Sequence, residues 1–73
     1  LRMHGAMDFV AVSESQVLLI DYKTDSVPPA EIARRYRDQL NAYRQALQIL
    51  YPDHEIRVYA WSLHANDSVL ITP

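Results

Sequence analysis

The stretch VLLIDYKT, residues 17–24, decides the fold, because an apolar run leads directly into an acid and a base two residues apart. The run from Val17 to Ile20 is typical of a strand in the middle of a sheet. Successive side chains of a strand point to opposite faces, so Asp21 and Lys23 project from the same face where the chain leaves the sheet. Burying charged groups at the end of such a strand costs free energy unless they have partners, and a metal ion is one such partner.

An earlier segment, Arg2 to Val12, alternates loosely and places Asp8 on one face together with His4. The polar residues Ser13 to Gln16 have the length of a hairpin connection. A hairpin there brings Asp8 back beside Asp21. Two adjacent carboxylates repel each other, and a divalent cation can keep both ionised. Mg²⁺ suits this arrangement because it prefers oxygen ligands, takes few from the protein and keeps sites for water and a substrate phosphate.

Beside a metal ion, Lys23 can orient or help deprotonate an attacking water and offset charge that develops on a phosphate. This is the chemistry of phosphodiester hydrolysis. The simpler alternative is that Asp21 and Lys23 form an exposed ion pair at a strand end, with Asp8 a strand-edge charge. Spacing alone favours that alternative, because D-x-K occurs by chance.

The remaining residues predict one long helix and two further strands. Lys23 to Pro29 contains two adjacent prolines, so the chain leaves the sheet there and turns. Apolar residues then recur every three or four positions, at Ile32, Tyr36, Leu40, Tyr43, Leu47 and Leu50. Glu55 to Leu63 alternates as a strand, and Val69 to Thr72 supplies a short edge strand. The predicted fold is α/β, a mixed sheet with one long helix packed across it in the order ββαββ.

Composition narrows the classes of function. The chain has 73 residues, a net charge of −2 and no cysteine, which excludes disulfides and cysteine-ligated metal centres within it. The acidic balance is unlike a generic basic surface for nucleic acids. Arginines concentrate between Arg34 and Arg44, which predicts a solvated helix face, with contact to a phosphate backbone as the alternative. No apolar stretch has the length of a membrane span, so we expect no membrane partner. The absence of cysteine fits a cytoplasmic location.

Three short motifs follow one another along the chain: GAMD at residues 5–8, LIDYKT at 19–24 and QLNAY at 39–43. In this order they resemble the GxxD, (D/E)xK and QxxxY signatures of the RecB/AddA-type nucleases of the PD-(D/E)xK superfamily. The resemblance covers nearly all of the chain from Gly5 to about Leu50, and it implies a restriction-endonuclease-like core. It also implies a metal-dependent deoxyribonuclease of the exonuclease type that uses Mg²⁺, with Mn²⁺ as an alternative ion.

Residue by residue, the resemblance implies that Asp8 and Asp21 are metal ligands, with the backbone carbonyl of Tyr22 as a third, and that Lys23 is the catalytic lysine. Relatives carry a further glutamate, and often a histidine, on a helix ahead of the first strand, and this chain has no match for them. His4 can approach the metal, although a structural role is the commoner one for a lone strand histidine.

Gln39 and Tyr43 would then lie near the site and the DNA, since their i,i+4 spacing puts them on one helix face. The alternatives are core packing for Tyr43 and a surface amide for Gln39. We expect both to face the sheet on the side of Asp21, whereas Arg34, Arg37 and Arg44 are expected to be mostly exposed.

The resemblance also bears on the larger assembly. We expect residues 1–73 to be a single nuclease core fragment of a longer chain, without the upstream helix of its site and weak or inactive alone. The implied partners are DNA, an ATP-driven helicase region of the same chain and a second subunit of an AddAB/RecBCD-like complex in double-strand break repair and recombination. Two alternatives remain: an inactive nuclease fold kept for DNA binding or subunit contact, and an unrelated α/β protein with an accidental D-x-K.

Overall fold

In the computed structural model, which describes residues 8–73, a four-stranded sheet carries one helix. The elements are β1 (Phe9–Val12), β2 (Gln16–Lys23), α1 (Pro29–Leu50), β3 (Glu55–Ser62) and β4 (Asp67–Ile71). The predicted α/β class, mixed sheet and ββαββ order are confirmed.

The strands lie side by side in chain order. β1 and β2 are antiparallel, as are β3 and β4, whereas β2 and β3 are parallel because α1 returns the chain to the same end of the sheet. The β1–β2 register pairs Phe9 with Ile20 and Val12 with Val17. Continued by one residue, this register sets Asp8 opposite Asp21 on one face of the sheet.

Helix α1 begins at two prolines, a residue type that the start of a helix tolerates. Pro28 is the extended N-cap and Pro29 occupies the first turn, where a missing N–H costs nothing. Glu31 adds negative charge at the positive end of the helix. At the other end, the backbone N–H of Tyr51 donates to the Leu47 carbonyl at 2.8 Å, and Pro52 follows. α1 is too polar to cross a membrane, and no other helix occurs in residues 8–73.

The core lies between α1 and one face of the sheet, mainly on β3 and β4. Alternate residues of the strands supply it, as the two-residue period requires. The buried apolar residues are Val17, Leu19, Ile32, Leu40, Leu47, Ile56, Val58, Ala60 and Ile71.

The other face of the sheet, here called the open face, is also largely apolar. It presents the apolar residues Phe9, Leu18, Ile20, Tyr22, Tyr59, Trp61 and Leu70, together with the polar and charged residues Gln16, Glu55, Arg57 and Ser68. No element within residues 8–73 is packed across it, so Phe9 is 44% exposed and Leu70 is 50% exposed.

The prediction that Arg44 is exposed is wrong. Its half-buried guanidinium donates from Nη1 to the Ile56 carbonyl at 2.8 Å and from Nη2 to the Ile71 carbonyl. Burial lowers the pKa of Arg44. The helix runs over β3 and β4 and meets these carbonyls, which need a donor. Arg37, two turns earlier, is exposed as predicted.

Candidate active site

The candidate site lies at the end of β2 on the face that carries α1. Asp21 continues the buried alternation of this strand, and its side chain is only 4% exposed. Lys23, on the same face, is 14% exposed, and its Nζ lies 2.8 Å from Asp21 Oδ2. The acid and the base therefore meet in a largely buried place rather than on the surface.

Two side chains of α1 complete the surroundings of Lys23. Its ammonium donates to Gln39 Oε1 at 3.1 Å and lies 3.9 Å from the centroid of the Tyr36 ring. Tyr36 and Gln39 share one face of the helix because they are three residues apart. The lysine is thus held by β2 and α1 together.

Asp8 reaches the site from the strand before. Its Oδ2 accepts a hydrogen bond from the backbone N–H of Tyr22 at 2.8 Å, which fixes the carboxylate beside the end of β2. The Tyr22 side chain points to the open face and is 44% exposed. Only the backbone of Tyr22 therefore belongs to the site, and ligation by its carbonyl stays a prediction.

Burial raises the pKa of Asp21 above its ordinary value of 3.8. The Lys23 ammonium opposes this shift, whereas the neighbouring Asp8 carboxylate adds to it. Asp21 Oδ2 is close to Lys23 Nζ but has no aligned hydrogen-bond donor among the described residues. The contact is therefore a largely buried ion pair, in which Lys23 is the cationic partner of this oxygen.

Tyr43 lies on the same helix face, half-buried against the core. Burial raises the pKa of Tyr43, and the negative charge of Asp21 adds to the shift, so the phenol is within electrostatic range of the site. Of the two helix residues predicted to line the site, Gln39 contacts Lys23 directly and Tyr43 borders the cluster while packing in the core.

The donor set fits a divalent cation in part. Asp8 and Asp21 supply hard oxygen ligands, and the second has a buried oxygen without an aligned donor. Within residues 8–73, no three histidine, cysteine, aspartate or glutamate side chains cluster as a metal site. That a third acidic ligand comes from another part of the protein stays a prediction. His4 and the first three residues of the GAMD motif lie outside the described residues.

Sequence reasoning missed the contact between Tyr36 and Lys23, and the role of Asp25. The Tyr36 hydroxyl donates to Asp25 Oδ2 at 2.9 Å, and Arg35 Nη1 donates to the same oxygen at 3.0 Å. The periodicity placed Tyr36 only on the apolar stripe. Its spacing of three from Gln39 was the signal that could have brought it to the site.

Comparisons with known proteins identify the family. The profile of the PD-(D/E)XK nuclease superfamily matches residues 1–70. The chain is 34% identical over 76 residues to an ATP-dependent helicase/nuclease subunit from Anoxybacillus flavithermus, covering 97% of this chain and 6% of that protein. It is 47% identical over 58 residues to the protein of the same name from Lacticaseibacillus casei, covering 78% and 5%. The chain thus spans only a small part of these relatives, and no solved structure matches it significantly.

Proposed function

The chain belongs to the PD-(D/E)XK nuclease superfamily, and on that premise we propose that it is the nuclease core of an AddA-like helicase-nuclease and hydrolyses DNA with Mg²⁺. One observation carries the proposal: buried Asp21 has an oxygen without an aligned donor, beside Lys23 and on the face that carries Asp8. Desolvating an acid and a base costs stability, so such a pair in a nuclease fold has a functional rather than a structural rationale.

Asp8 and Asp21 would hold the cation, with the Tyr22 carbonyl as a further ligand. Bound there, Mg²⁺ would activate a water and neutralise charge on the phosphate, and Mn²⁺ could replace it. The protein's own contribution is to hold these side chains in fixed positions. Asp8 is fixed by the Tyr22 N–H, and Lys23 is fixed by the Gln39 amide oxygen.

Lys23 supplies positive charge at the place where the phosphate becomes more negative in the transition state. Its ammonium also has N–H groups that can orient the attacking water. Because the side chain is 14% exposed and already in contact with partners, little reorganisation is needed during the reaction. The simple surface ion pair considered from the sequence does not have this burial.

The substrate is DNA, and Gln39 and Tyr43, which share the helix face beside Lys23, would contact the DNA. The named relatives are helicase/nuclease subunits, so the proposal includes an ATP-driven helicase region in the same chain and a second protein chain in the complex. Action in double-strand break repair and recombination, in the cytoplasm, belongs to the same proposal.

The test is made in the full-length protein, with Lys23→Ala and Asp21→Ala. Each should lower Mg²⁺-dependent DNA degradation by at least about 100-fold, because each removes a contact used in the transition state. ATP-driven unwinding should persist in both. Arg37→Ala, an exposed substitution on α1, is the matched control and should change neither activity.

A thermal melt gives a second measurement that does not depend on cleavage. Mg²⁺ should raise the melting temperature of the wild type and not that of Asp21→Ala, because the ion stabilises only a state that binds it. Retention of DNA degradation by Lys23→Ala, or equal stabilisation of Asp21→Ala by Mg²⁺, would contradict the proposal. A wild-type protein that binds DNA but degrades none would instead identify an inactive nuclease fold.

A further inference from the structure

Tyr36 lies beneath the catalytic lysine of the proposed nuclease, although none of the three sequence motifs includes it. We propose that Tyr36 is a positioning residue: its ring holds the Lys23 ammonium in place for DNA hydrolysis, and its hydroxyl fixes the ring. This inference rests on the proposed function for the reaction that it serves.

The first observation is the contact itself. Lys23 Nζ lies 3.9 Å from the ring centroid, within the distance at which a cation is attracted to an aromatic face. The ammonium is largely desolvated and the ring is packed against the core, so water weakens this attraction less than it would at a surface.

The second observation is how the ring is fixed. The Tyr36 hydroxyl donates to Asp25 Oδ2 at 2.9 Å, and Arg35 Nη1 holds the same oxygen at 3.0 Å. Asp25 belongs to the connection between β2 and α1, only two residues beyond Lys23. The ring is therefore held at one end by the helix that carries it and at the other by the loop that follows the lysine.

The neighbours of Lys23 differ in how their attraction to the ammonium depends on a bound cation. Asp21, its ion-pair partner, is also the carboxylate proposed to bind the cation, and a carboxylate shared with a cation attracts an ammonium less. Gln39 and Tyr36 are neutral, so their hold on Lys23 does not depend on that charge. An aromatic ring also does not compete as a ligand, because Mg²⁺ takes oxygen ligands.

The test compares Tyr36→Phe with Tyr36→Leu in the full-length protein. Phenylalanine keeps the ring and loses the hydroxyl, whereas leucine keeps an apolar side chain and loses the ring. We expect kcat for DNA degradation to stay within about threefold of wild type for phenylalanine and to fall about tenfold or more for leucine. The KM for DNA and the Mg²⁺ concentration for half-maximal rate should not change.

A second readout is independent of activity. Lys23 is the sole lysine of residues 1–73, so its acetylation by acetic anhydride can be followed in one peptide by mass spectrometry. Without metal or DNA, the leucine variant should be acetylated several-fold faster at Lys23 than the wild type. The phenylalanine variant, which keeps the ring but loses the bond that fixes it, should lie between the two. If the leucine variant does not fold, Tyr36→Met replaces it, since methionine adapts to irregular core space.

Tyr51→Leu is the matched control, because Tyr51 is another half-buried tyrosine packed against the core at the far end of α1. It should lower the melting temperature without changing kcat or the acetylation of Lys23. An unchanged kcat and labelling rate in the ring-less variant, or a loss equal to that of Tyr51→Leu, would overturn the role of Tyr36. Full nuclease activity of Lys23→Ala would instead refute the proposed function, and the labelling would still report whether Tyr36 holds Lys23.

Discussion

Asp8, just before β1, and Asp21, on β2, lie side by side, yet their environments differ. Asp21 is buried and its pKa is raised by that burial, whereas Asp8 is exposed and uses one oxygen to bind the backbone of Tyr22. Asp8 therefore has a structural role besides its proposed role as a metal ligand, and the two roles can be separated by mutation.

Asp8→Asn should separate them, because an amide oxygen still accepts the Tyr22 N–H but carries no charge for a cation. We expect this variant to melt like the wild type and to lose at least about 100-fold in Mg²⁺-dependent cleavage. Asp8→Ala should lose the same activity and about 1 kcal/mol of unfolding free energy, since the hydrogen bond is lost as well. Chemical denaturation and a nuclease assay measure the two effects. Equal stabilities of the two variants, or wild-type cleavage by Asp8→Asn, would contradict this division.

The relative placement of Asp8, Asp21 and Lys23 could be predicted from the sequence, for a local reason. Strand periodicity fixes that Asp21 and Lys23 share a face, and a short hairpin fixes that Asp8 lies near them. The Tyr36 contact was not predictable in this way. It depends on the rotation of α1 over the sheet and on the loop that carries Asp25, and both are properties of tertiary packing.

At the scale of the element, Arg44 shows where the helix pattern is ambiguous. From the sequence, a charged residue beside the apolar stripe of a helix is predicted to be solvated. The spacing of residues does not show which polar groups of the neighbouring strands lie next to it. Here the ends of β3 and β4 present the Ile56 and Ile71 carbonyls, and the guanidinium satisfies both. The start of α1 was predictable from Pro28 and Pro29 alone, because the proline ring restricts the backbone directly.

Arg44→Ala should therefore destabilise the fold by about 1–3 kcal/mol, since two carbonyls lose their donor together with the apolar stem that packs there. Arg37→Ala, the same substitution at an exposed position of α1, should stay within about 0.5 kcal/mol of wild type. Urea denaturation of the two variants measures the difference. Similar losses in both would mean that the guanidinium contacts contribute nothing.

A carboxylate in the connection between β2 and α1 predicts how the stability of the fold depends on pH. The Tyr36 hydroxyl, with Arg35, holds the pKa of Asp25 below its ordinary value of 3.8. A lowered folded-state pKa stabilises the fold above the unfolded value, and this contribution is lost as pH falls through the folded value. Wild type should therefore melt above Asp25→Asn at about pH 6, and the gap should close well below pH 3.8. Melting curves across this range test it, and a gap that is constant with pH would exclude a contribution from the ionised carboxylate.

At the scale of the whole molecule, the two faces of the sheet are unequal. α1 covers one face and leaves the open face to solvent in the described part of the chain, with Tyr22 at 44% and Leu70 at 50% exposure. A sheet face that exposes several large apolar side chains is a surface at which association is expected. β1 and β4 are also the edges of the sheet, where unpaired backbone groups can pair with another chain.

We therefore expect the isolated 73-residue chain to self-associate through the open face, and the double variant Phe9→Lys/Leu70→Lys to associate at least about tenfold more weakly. Full burial of one such side chain contributes roughly 1.5–3 kcal/mol, so two charges on this face oppose association strongly. The control is Ile49→Lys, because Ile49 is an apolar residue of α1, 81% exposed, which lies away from the sheet. Sedimentation equilibrium over a range of concentrations measures the association, and far-ultraviolet circular dichroism checks that the variants keep the fold. A chain that stays monomeric throughout, or a control that weakens association as much as the double variant, would show that the open face does not drive assembly.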